Sequence, residues 1–206
     1  MPTCLVIDTA TAACSVALLE DDVVIAESHD VVGRGHAERL MPMIAALPDG
    51  GRADLILVDC GPGSFTGVRV GIAAARALGL GWEIPVQGFS ATTLMAATAA
   101  TGSHAETIAI AMAGGHGELF VQRFSTFPCA PLSALASLTP ANAAAMVPEQ
   151  DVHGSGAAAL VAARGWGNAH EAFPFAKDVT DLPRIHAELP PQPIYGRDAD
   201  ATPAAR

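Results

Sequence analysis

The sequence predicts an α/β protein built as two lobes, and three observations carry that expectation. The run Leu55 Ile56 Leu57 Val58 is continuously apolar, as a strand buried on both faces must be, and it leads through a glycine-rich loop into a segment of helical length. The first thirty residues are short apolar runs broken at Asp21 Asp22, the pattern of an antiparallel meander. Near Thr101 Gly102 Ser103 the composition changes and a second series of strands and helices begins, which places the lobes at 1–102 and 103–206.

Each element has its own local reason. Cys4 to Ile7, Cys14 to Leu19 and Val23 to Ala26 are strands, with Asp21 Asp22 turning between the last two. From His36 to Leu47, the residues Leu40, Met43, Ile44 and Leu47 share one helical stripe, and Pro42 should kink or shorten that helix because it removes one hydrogen bond. Pro48 to Asp54 is a polar connector. After Leu55 to Val58 comes the loop Gly61 Pro62 Gly63 Ser64 Phe65 Thr66 Gly67, in which Ser64 or Thr66 can cap the helix from Val68 to Leu80. Pro85 to Gly88 is a brief strand, and Ser90 caps a helix to about Thr101.

In the second half, Thr107 to Ala113 and Glu118 to Ser125 flank Gly114 Gly115 His116 Gly117, a hairpin signal. Thr139 Pro140 starts a helix, and Gln150 to His153 is a strand leading into an alanine-rich helix. The proline- and aspartate-rich tail from Pro190 is expected to be irregular.

Composition removes several classes of function. Half of the 206 residues are apolar, enough to bury roughly 70% of the unfolded surface. No apolar run is long enough to span a bilayer and no secretory leader is visible, so the expectation is a cytoplasmic protein. Cys4, Cys14, Cys60 and Cys129 are scattered without a CxxC pair and read as reduced thiols. A formal charge of −10 with a single lysine, Lys177, argues against a nucleic-acid surface on this chain alone.

Counting tests dispose of the common catalytic motifs. A nucleotide P-loop would need glycine and lysine where Thr66 stands, and a nucleophile elbow would need glycines two positions either side of Ser64 or Ser155. The seven histidines include no pair four apart, so a helical zinc pair is absent, and His36 reads as a polar helix start. No catalytic residue and no metal ligand is assigned. Asp8, followed by Thr9, ends a buried strand: its carboxyl either faces a metal and phosphate or satisfies backbone donors in its own turn. With Gly61, Gly63, Ser64 and Thr66 these residues form the candidate anion or nucleotide site, although the loop reads better as a rigid turn that launches the following helix.

That helix is apolar on two sides. Val68 and Ile72 form one face; Val70, Ala73, Ala74, Ala77 and Leu78 form another nearly opposite, interrupted only by Arg69 and Arg76. One face can meet the sheet, and the other asks for a partner. Since a specific interface buries on the order of 1,600 Å², the stripe Leu40, Met43, Ile44 and Leu47 is expected to join it.

Ile7 Asp8 Thr9 Ala10, Cys14 to Leu18, His36 to Pro42 and above all Gly61 to Gly71 closely resemble the bacterial TsaB family of tRNA threonylcarbamoyladenosine biosynthesis proteins, paralogues of TsaD. The resemblance covers the first hundred residues well; beyond them it rests on strand order, Gly117 Glu118 and Pro193 Ile194 Tyr195. It implies the two-lobed actin, hexokinase and sugar-kinase fold, each lobe a mixed sheet with flanking helices. It also implies a non-catalytic subunit that pairs with TsaD through two helices of the first lobe, with TsaE joining the assembly and tRNA met only through the complex. For the isolated chain, a homodimer through the same face is an expectation from the two-sided apolar helix. No cofactor is assigned to this chain, and ATP with magnesium is an expectation for the complex only. The rival reading is an enzyme of the same fold acting alone as an ATPase, carbamoyl transferase or peptidase. The chain departs from the family pattern at Ala113 Gly114 Gly115 and at Cys60.

Overall fold

The computed structural model describes residues 1–196. The part of the tail beyond Gly196 lies outside the described residues. Two sheets share one wiring. In the first, β1 (Thr3–Asp8), β2 (Ala13–Glu20) and β3 (Val23–Val31) form the antiparallel meander, and β4 (Leu55–Asp59) and β5 (Val86–Phe89) add in parallel on the far side of β1, giving the order β3-β2-β1-β4-β5.

In the second sheet, β6 (Thr107–Ala113) and β7 (Leu119–Thr126) make a hairpin that β8 (Cys129–Pro131) and β9 (Ala136–Leu138) extend, while β10 (Asp151–His153) and β11 (Asn168–His170) add in parallel beyond β6. Its order β8-β7-β6-β10-β11 repeats that of the first sheet. Meander, then parallel strands across the starting edge, twice over, is the two-lobed α/β architecture expected from the actin and sugar-kinase resemblance.

Period-two alternation sorts the first sheet into two dry faces. Leu5, Ile7, Val16, Ile56 and Val58 point to α1 (His36–Ala45) and α2 (Phe65–Trp82). Val6, Ala17, Leu19 and Leu57 point the other way, to α3 (Ala91–Ala100) and a 3-10 segment at Ala176–Asp181. Helix α3 is buried at seven consecutive positions, Ala91 to Ala97, because it is held between the sheets: Leu94 and Ala97 pack on the first, and Met95 and Ala96 join the cluster that includes Ile108, Ile110 and Met112 of β6. A helix enclosed in this way needs no charged face, and α3 is built only of alanine, leucine, methionine and threonine. On the outer face of the second sheet lie α4 (Pro140–Met146) and α5 (Ala157–Arg164).

Caps and turns follow the sequence with three adjustments. Ser64 caps α2 through Gly67 N at 3.2 Å, so the helix begins at Phe65 rather than Val68. Ser90 does not cap α3: its hydroxyl donates to Thr92 Oγ1 at 2.9 Å, because Thr92 is buried and spends its own proton on Gln122 Oε1 of β7 at 2.7 Å. Helix α1 ends at Ala45, short of Leu47, three residues past Pro42. All four cysteines are free thiols. Among the described residues, no helix is long and apolar enough to cross a membrane.

After β11 the chain returns to the first sheet. Ala176 N donates to Ser15 Oγ at 2.9 Å, Leu189 pairs with Gly88, and Ile194 N donates to Cys60 O at 2.7 Å. Arg76 and Arg69 of α2 then hold this strap through Pro191 O at 2.8 Å and the Tyr195 hydroxyl at 2.6 Å.

Candidate functional site

The glycine loop is closed against β1. Gly63, Gly67 and Gly71 recur every four residues because α2 lies directly on the Thr9–Ala10 turn: a Cβ at Gly63 would strike the Ala10 carbonyl, one at Gly67 the Thr9 carbonyl, and one at Gly71 the Thr9 hydroxyl. The contact is sealed by Thr9 Oγ1 donating to Gly67 O at 2.7 Å and Ser64 N donating to Ala10 O at 2.6 Å. Gly61, at φ 91°, supplies the left-handed corner that brings the loop there.

Several donors of the candidate anion site are already engaged. The Gly61 amide donates to Asp59 Oδ1 at 2.7 Å, and those of Ser64, Gly67 and Val68 are likewise spent inside the chain. Thr9 is buried, whereas Thr66 is exposed on the first turn of α2. The loop forms a rigid base for α2.

Beneath it lies a feature that sequence reading missed. Ile7 pairs with Val58, so the next residues, Asp8 and Asp59, end adjacent parallel strands with both side chains buried, at 1% and 0% exposure. Asp8 Oδ1 accepts from Ala10 N at 3.0 Å and Asp59 Oδ1 from Gly61 N, so Asp8 does satisfy its own turn. No N–H or O–H of the described residues reaches either Oδ2. Two carboxyls buried side by side cannot both be charged, so the pair keeps one proton.

Burial pushes the Asp8 carboxyl up to about 7. Burial, with the Asp8 charge added, holds that of Asp59 well above the usual carboxylate range. The only signal in the sequence was an aspartate closing each of two apolar strand runs. His36 is buried and donates Nε2–H to Thr11 O at 2.9 Å, which fixes it as a helix-start residue.

The expected partner face divides. Leu40, Met43, Ile44 and Leu47 are buried, at 0 to 6% exposure, in the core with Leu5, Leu18 and Ile56, and offer nothing to a partner. Their stripe is what a helix shows to its own sheet. On α2, Val68 and Ile72 are buried as expected. Val70, Ala74 and Leu78 are half-buried along the edge of that core, and Ala73 and Ala77 are exposed. Three residues not anticipated add to the outer surface: Phe65 and Leu80, exposed by 69% and 83% at the two ends of α2, and Met41 of α1, exposed by 45%.

With this geometry in view, comparison with known proteins is informative. The family described as "TsaD: tRNA N6-adenosine threonylcarbamoyltransferase" matches residues 26–129, half of the chain. The Escherichia coli protein named tRNA threonylcarbamoyladenosine biosynthesis protein TsaB is 39% identical over 121 residues, covering 56% of this chain and 52% of that one. The Bacillus subtilis protein of the same name is 39% identical over 107 residues, covering 50% and 45%. The chain thus spans about half the length of the curated relatives it matches.

Among solved structures, YeaZ from Pseudomonas aeruginosa superposes with a TM-score of 0.77 at 29% identity over 95% of this chain and 100% of that one. A second, from the same organism and described as an uncharacterized protein with similarity to peptidase YeaZ, gives 0.80 at 28% identity over 96% and 100%. The matched range includes the loop whose glycines seat α2 on β1, and the chain belongs to the TsaD family, as a relative of TsaB within it.

Proposed function

We propose that this chain is a non-catalytic subunit that docks on a TsaD-type transferase and supports formation of threonylcarbamoyladenosine in tRNA. The observation that carries the proposal is α2 itself: an 18-residue helix whose inner face is seated rigidly by three glycines and whose outer face leaves Ala73, Ala77 and Leu80 in water. Small residues there allow a second helix to approach closely, and Leu80 supplies apolar area. Phe65 and Met41 widen the patch toward the size that a specific interface requires.

The names of the relatives supply the pathway, and residues 1–102 are proposed as the docking unit. In the same reading TsaE joins the assembly, tRNA is met through the complex, ATP with magnesium belongs to the assembled complex, and the isolated chain pairs with itself through this face. A lone enzyme is disfavoured because the aspartate pair is sealed from solvent. Co-elution with a TsaD partner on size exclusion tests the proposal. Ala77→Glu should abolish the complex while leaving the far-UV spectrum unchanged, and Ala163→Glu, on the exposed face of α5, should leave it intact. Retention of the complex by Ala77→Glu and Ala73→Glu alike would place the interface elsewhere.

A further inference from the structure

Between the lobes lies a cleft of about 880 Å³, within the size range of small-molecule sites. It is bordered by the turn after β1 and the first turn of α2 on one side, by the Gly114–His116 turn and Phe120 on the other, and by strap residues at one end. Three of the seven phenylalanines, Phe65, Phe120 and Phe173, and the only tyrosine, Tyr195, border this one space. None of the four is fully buried, so flat apolar rings stand open to the cleft, where burial by a ligand would be favourable.

The charge of the lining is as selective as its shape. In a chain of net charge −10, no carboxylate is among the described residues that line the cleft, and Arg69 is their only permanent charge. Its guanidinium is pre-positioned: the central carbon sits 3.2 Å from the centre of the Phe65 ring, and Nη2 donates to the Tyr195 hydroxyl. A guanidinium has five N–H donors, and the bonds made to the described residues, to Tyr195 and a long one of 3.4 Å to Phe65 O, leave three of them for a ligand. One cation matches one anion. Several phosphates would require several cations, and Lys177, the only lysine, is engaged with Glu27 on the first lobe.

We propose that the interlobe cleft binds a planar aromatic molecule carrying a single negative charge, its ring system against the phenylalanine and tyrosine side chains and its anion on Arg69. Such a ligand touches both lobes and the strap at once. Of the residues proposed to meet a partner, the cleft shares Phe65 alone; Ala73, Ala77, Leu80 and Met41 are not among its lining residues.

Equilibrium dialysis of the full chain against 1-naphthoate and, separately, its neutral counterpart 1-naphthalenemethanol tests this assignment. The expected result is saturable 1:1 binding of naphthoate. Arg69→Gln should weaken naphthoate about tenfold and leave the alcohol within twofold. Two blocking variants, one from each side, are Ala12→Trp and Gly115→Trp; both positions are exposed, and open space surrounds Gly115. Each should abolish binding of both probes with an unchanged far-UV spectrum. Absence of saturable naphthoate binding up to millimolar concentration would overturn the proposal. So would equal loss of both probes in Arg69→Gln, undiminished binding in both tryptophan variants, or tighter binding of ATP than of naphthoate.

Discussion

Asp8 and Asp59 end neighbouring parallel strands, and their carboxyls meet because Ile7 and Val58 are in register. Two buried carboxyls this close cannot both be charged, and the shared proton has a consequence for stability. In the unfolded chain each titrates near 3.8, while burial raises Asp8 to about 7 and Asp59 well above its ordinary value. The folded state therefore holds more protons than the unfolded state from about pH 4 upward. The stabilisation linked to that proton is fully present below pH 4 and is lost as pH rises through 7. Asp178, half-buried and raised to about 6 by burial and then by Asp181, adds in the same direction.

Asp59→Asn replaces the shared proton with an amide N–H that does not titrate. Urea unfolding should show a shallower decline from pH 4 to 7.5 in this variant, and a gain at pH 8 of at least ~1 kcal/mol, about one pKa unit of relieved repulsion. Identical pH slopes in variant and parent would mean that no proton is shared. Asp8 is conspicuous in the sequence, whereas Asp59 looks like the polar end of an apolar run. Their pairing depends on β1–β4 register, and register is a relation between segments fifty residues apart that no local pattern displays.

Helices α1 and α2 show what an amphipathic pattern can and cannot say. Both stripes are legible, and Val68 and Ile72 turn inward as the projection of α2 requires. What periodicity cannot report is whether a helix's one apolar stripe meets its own sheet or a partner. In α1 the answer is Leu40, Met43 and Ile44, so any contact with a partner falls to exposed residues such as Met41.

The glycines of α2 can be separated on the same physical grounds. Gly67→Ala drives a methyl group into the backbone carbonyl of Thr9, which cannot rotate away, and should destabilise the fold by about 2–4 kcal/mol. Gly81→Ala, near the far end of the same helix and facing open space, should stabilise it by about 0.5–1 kcal/mol. Urea midpoints of the two variants should move in opposite directions. A loss of less than ~0.5 kcal/mol in Gly67→Ala would mean that α2 is not seated tightly on β1.

At the scale of the whole molecule, the repeated strand order divides the chain, while α3 and the strap bind it together. The composition change near residue 102 falls between α3 and β6, yet α3 belongs to both cores, and residues 176–194 return to the first sheet after the second is complete. The second sheet was legible strand by strand. The strap was not, because Leu189 to Tyr195 carries no periodic pattern and is ordered by scattered bonds to Cys60, Arg69, Arg76 and Gly88.

Such sharing predicts one cooperative transition. Trp82 ends α2 on the first lobe, and Trp166 follows α5 on the second, so each reports on one lobe. Single-tryptophan variants made by Trp82→Phe and Trp166→Phe should unfold with coincident fluorescence midpoints in urea. Met95→Ala, which removes a side chain 4% exposed between the sheets, should lower both midpoints together by about 2–4 kcal/mol. If α3 were merely a linker, the Trp82 and Trp166 transitions would separate, and Met95→Ala would shift one of them alone.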